Sequence, residues 1–76
     1  MTYYDDGRSW LSLVQAKLGD ASRSVIECLR RTDAAAGLAQ YQAKDTIAAL
    51  DEARICAMRA LVYFELAADD QRKGDP

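Results

Sequence analysis

The chain reads as an all-α protein: an antiparallel two-helix hairpin that pairs with a second copy into a four-helix bundle. Three observations lead there. Across the 76 residues, apolar side chains recur at spacings of three and four, and period-two alternation is missing. Alanine is abundant, while strand-favouring residues are scattered. The stretch from Ile55 to Ala68 is apolar or aromatic everywhere except Arg59 and Glu65, more than one buried helix face can use.

Taken in order, residues 1–8 open with Tyr3, Tyr4, Asp5, Asp6 and Gly7, a polar, turn-prone start read as a flexible arm that ends where Ser9 can cap a helix. The hairpin domain spans residues 9–68. Its first helix carries Leu11, Val14, Leu18, Ala21, Val25 and Cys28 on one stripe, flanked by Trp10 and Leu29. Gly19-Asp20 resembles a stop followed by a cap, but the stripe keeps its phase across the pair. A single helix from about Ser9 to Arg31 therefore absorbs the roughly 1 kcal/mol that an interior glycine costs.

The segment RRTDAAAG, residues 31–37 with Arg30 before it, combines a cationic helix end, the cap candidates Thr32 and Asp33, and a glycine, and so marks the reversal. The second helix starts at Asp33 or only near Asp45. From Ala43 onward its stripe is Ala43, Leu50, Ala53, Ala57, Leu61, Phe64 and Ala68, flanked by Ile47 and Ala60. The small residues let the two backbones approach, and Leu11, Leu18, Val25 and Leu29 fill the space. Residues 69–76 are charged and read as a fraying polar tail.

Ile55, Met58, Val62 and Leu66 form a second stripe on the far side of that helix, edged by Arg59 and Tyr63. Aromatic residues, Met and Arg are enriched at protein interfaces. These six residues are the candidate contact set, for a second copy or for an unidentified protein. Tyr3 and Tyr4 on the arm and Trp10 at the helix start are further candidates for partner contact, with Trp10 expected foremost as a lid on the core.

Composition narrows the chemistry. Histidine is absent, which removes the commonest general base and the commonest metal ligand. Cys28 and Cys56 lack the spacing of a zinc or redox pair and read as small core residues. With the turn near residue 36 they stand about 16 Å apart along the hairpin, beyond the reach of a disulfide. No catalytic residue, metal site or cofactor is expected.

Ten basic and twelve acidic residues, net −2, supply no electrostatic pull toward nucleic acid or anionic lipid. On the outer face of the first helix Lys17, Arg23, Arg30 and Arg31 alternate with Asp20 and Glu27, which suits local ion pairs such as Glu27 with Arg31. The opening MTYYDDGR is acidic, and the most apolar run is shorter than the roughly 20 residues of a membrane span. A cytoplasmic location is the expectation.

The functional reading is a small non-enzymatic interaction module, an adaptor, inhibitor or anti-regulator of the kind phages and mobile elements encode, which occupies a surface of a partner protein. In length and layout the hairpin is also similar to the plasmid-encoded Rop proteins, dimeric helical hairpins that bind RNA through their first helices. That resemblance implies an RNA- or DNA-binding regulator as the alternative and carries over no site residue.

Overall fold

The computed structural model describes residues 2–30 and 36–74. Two helices, α1 (Tyr3–Arg30) and α2 (Ala36–Gly74), pack side by side as an antiparallel hairpin. The result is a rod of 65 × 16 × 14 Å, a single layer of two helices. The expected all-α hairpin is present.

Helix α1 begins six residues earlier than Ser9. Thr2 supplies the cap: its Oγ1 accepts from the Asp5 amide at 3.1 Å, and its carbonyl accepts from the Asp6 amide at 3.1 Å. Asp5 and Asp6 then fall in the first turn, where carboxylates offset the positive end of the helix dipole. Residues read as an arm are thus the first two turns of α1. Gly19 stays inside the helix without a break, as the unbroken stripe implied, and open space surrounds it.

Residues 31–35, where the sequence predicts the reversal, lie outside the described residues, and with them the cap candidates Thr32 and Asp33 and the Arg31 of the expected Glu27–Arg31 pair. Helix α2 is already formed at Ala36, so the later start near Asp45 does not occur. Thr46, beside the cap candidate Asp45, lies mid-helix, its hydroxyl donating to the Gln42 carbonyl 2.8 Å away. At the far end α2 runs to Gly74 through the expected tail. An Asp69–Arg72 ion pair of 2.7 Å and the cations Arg72 and Lys73 suit the negative end of its dipole.

Small residues dominate the seam between the helices, with Trp10, Val14, Lys17, Gln42 and Tyr63 as its larger members. On α1 it follows Gly7, Trp10, Val14, Lys17, Ala21, Ser24 and Cys28; on α2 it follows Gln42, Thr46, Ala49, Ala53, Cys56, Ala60, Tyr63 and Ala67. Both sets alternate steps of three and four, the period of a two-helix seam. Ala21 and Ala53 are 5 % exposed and Ala60 1 %. No large side chain among the described residues is fully buried.

This corrects the predicted stripes by about one position. Leu11, Leu18 and Val25 do not fill the seam; they stand exposed along its edge, as Leu50 and Leu61 do on α2. Indeed every leucine and every isoleucine of the chain is exposed. Burying an alanine methyl is worth about 0.8 kcal/mol, against about 1.5–3 kcal/mol for a leucine side chain. The hairpin alone therefore collects little of the hydrophobic stabilisation its sequence carries.

Gly7, read as a turn residue, belongs to the seam. The Phe64 ring lies on its backbone, and a Cβ there would come within 2.7 Å of Phe64 Cε1. A Gly7→Val chain should lose about 1–3 kcal/mol of stability, because the ring must leave its place. Gly19→Ala should instead gain about 0.5–1 kcal/mol, since nothing opposes the new methyl and helix propensity improves. Thermal unfolding of the two variants against the parent checks both signs.

Candidate interaction surfaces

One long edge of the hairpin is closed by polar and aromatic bridges. Lys17 Nζ meets Glu52 Oε2 at 2.7 Å, and the hydrogen bond and charge of Glu52 raise the Lys17 pKa above its ordinary value. The Arg59 guanidinium lies 4.8 Å from the Trp10 ring centroid, a cation–π contact. Tyr3 packs on Tyr63 with centroids 6.4 Å apart. These contacts engage four of the candidate partner residues within the chain, Trp10 in the lid position expected of it. Arg59, Tyr63, Trp10 and Tyr3 hold α2 to α1, although the exposed part of Tyr3 still faces outward.

The opposite edge is apolar and open. Steps of seven residues carry Tyr4, Leu11, Leu18 and Val25 along α1, and Ala43, Leu50, Ala57 and Phe64 along α2. Two contacts show that these rows border the same side. Tyr4 and Phe64 stack with centroids 5.6 Å apart near the chain ends. Near the turn, Val25 and Leu29 of α1 line one groove with Ala43 and Ile47 of α2. That groove also holds Gln42, 9 % exposed, whose Oε1 has no donor among the described residues.

A third surface lies on the outer side of α2. Ile55, Met58 and Val62 are exposed there, with Leu66 one turn on. Arg54, Arg59 and Leu61 line the same shallow depression as the first three, and Arg54 Nη1 donates to Met58 Sδ at 3.9 Å. Five of the six candidate contact residues, Ile55, Met58, Arg59, Val62 and Leu66, thus lie on one exposed strip, away from the seam and adjoining the apolar edge at Arg54 and Leu61. In the sequence the stripe at Leu50 and Leu61 is hard to tell from the seam, because its residues border it.

The cations expected on α1 do not make a continuous track. Lys17 turns inward to Glu52, and Arg23 lies 3.7 Å from Asp20. Arg31 lies outside the described residues. Cys28 and Cys56 are free thiols, both half-buried in the seam. Among the described residues, no three cysteine or carboxylate side chains stand close enough to hold a metal ion. No described helix is long and apolar enough to cross a membrane.

Comparison with protein-family models, curated proteins and solved structures gives no match. The class is defined by the fold and its surfaces: a two-helix hairpin with a small-residue seam, one bridged edge, and two apolar surfaces without a partner in the chain.

Proposed function

We propose that this protein is a non-enzymatic helical interaction module that self-associates into a four-helix bundle and acts by occupying a surface of a partner protein. The observation that carries the reading is the exposure of the large apolar side chains: every leucine and every isoleucine is exposed in the hairpin. Contiguous exposed apolar area of this kind marks interaction sites on water-facing proteins. Two such surfaces on one chain allow two occupants. The open edge that runs along both helices suits a second copy; the strip of Ile55, Met58, Val62 and Leu66 suits a different protein.

Light scattering at low micromolar concentration tests the first half. A mass near twice the 8.4 kDa chain is expected. A mass of one chain would remove the bundle and leave both surfaces to foreign partners.

A further inference from the structure

We infer that the second copy lies across the open edge in a head-to-tail sense, with the turns of the two hairpins at opposite ends of the bundle. This rests on the self-association proposed above and adds its geometry.

Area argues for a copy of the chain as the occupant. A globular monomer of 8.4 kDa exposes about 4,600 Å². This chain exposes 5974 Å², about 1,400 Å² more. Covering that excess on each of two chains makes an interface within the range of about 2,000–5,000 Å² seen for obligate dimers. The surface also carries little charge, with only Arg8 and Arg54 along it.

The order of side chains argues for the orientation. A twofold interface must be self-complementary, so each residue meets the image of its counterpart across the axis. On α1, Leu11 and Leu18 stand equally far on either side of a point between Val14 and Gln15, and Tyr4 and Val25 stand equally far beyond them. On α2 the corresponding point falls between Ile55 and Cys56. Leu50 and Leu61 flank it, then Ile47 and Phe64, then Ala43 and Ala68.

The hairpin brings the two points to one height. The Trp10–Arg59 and Lys17–Glu52 contacts bracket both. An axis through them, perpendicular to the helices, lays α1 on its image and α2 on its image. Leu11 then meets the partner's Leu18, and Leu50 the partner's Leu61. Arg54 faces the partner's Ala57, a small residue, while its own guanidinium is drawn aside onto Met58.

Gln15 lies next to that axis and supplies the test. The full chain carrying Gln15→Cys is oxidised under native conditions, and disulfides are located by peptide mass spectrometry, so Cys28 and Cys56 can remain. A symmetric bridge between the two introduced thiols is expected in most chains, because α1 faces α1. In the other twofold arrangement, with both turns at one end, residue 15 faces residue 54 of the other copy. A mixture of Gln15→Cys and Arg54→Cys chains that bridges only heterologously, or a dimer that forms no symmetric bridge at residue 15, overturns the orientation and leaves self-association standing. A monomeric mass before oxidation overturns both.

Discussion

Replacing Leu50 by aspartate is expected to convert the proposed dimer to a monomer and to strip most of its helix. The site is exposed in the isolated hairpin, so a carboxylate there offends nothing within the chain. In the bundle it would lie against the partner's Leu61, and twofold symmetry places two such carboxylates in one interface. A charge without a partner in an apolar contact costs several kcal/mol or neutralises by taking up a proton. Because the seam buries chiefly alanines, the hairpin has little stability to fall back on when the second layer is lost. Val62→Asp is the control. It introduces the same charge at an equally exposed α2 position on the outer strip, and the dimeric mass should survive it. Retention of dimeric mass by Leu50→Asp would place the self-association face elsewhere.

The second large effect is expected inside the seam. Ala60 is 1 % exposed and stands where α2 passes the start of α1, next to the residue whose guanidinium covers Trp10. A leucine there has no room unless the helices separate. Overpacking of this kind costs about 1–3 kcal/mol, which for a domain of this size lowers the melting temperature by about 4–8 °C per kcal/mol. Alanine and leucine have nearly the same helix propensity, so the loss reports packing. Ala48→Leu, on the exposed side of α2, should change stability by less than about 0.5 kcal/mol. Thermal unfolding followed by circular dichroism separates the two variants.

Much of the fold is legible in the residues because a 3.6-residue period leaves its mark wherever one helix meets another. The number of helices, their antiparallel packing and the passage of α1 through Gly19 all follow from that period. The phase is harder to read. Each apolar stripe is wider than the seam; the proposed bundle, in which each helix touches two neighbours, accounts for that width. Leu11, Leu18, Leu50 and Leu61 look like the hairpin seam although they border it. The buried alanines next to them give the weaker signal, since an alanine is at home on any helix face.

The helix ends are hard to read from the sequence for a related reason. Thr2 ahead of Asp5 and Asp6 is a sound start signal, but Gly7 behind it looks like a turn unless the Phe64 ring that needs its bare backbone is known. That partner lies at the other end of the sequence. Arg59 and Tyr63 illustrate the same limit: their types suit an interface, and spacing along the sequence does not show that they also contact Trp10 and Tyr3 of their own chain.

The central claim is that the stabilising apolar area of this chain lies outside the hairpin and is buried only by association. Thermal unfolding of the unmodified protein over a hundred-fold range of concentration tests it most directly. Folding coupled to dimerisation makes the midpoint rise with concentration, by mass action, with helicity declining at the dilute end. A midpoint that stays constant over the whole range, with full helicity at the lowest concentration, would show that the hairpin stands alone and would contradict the account.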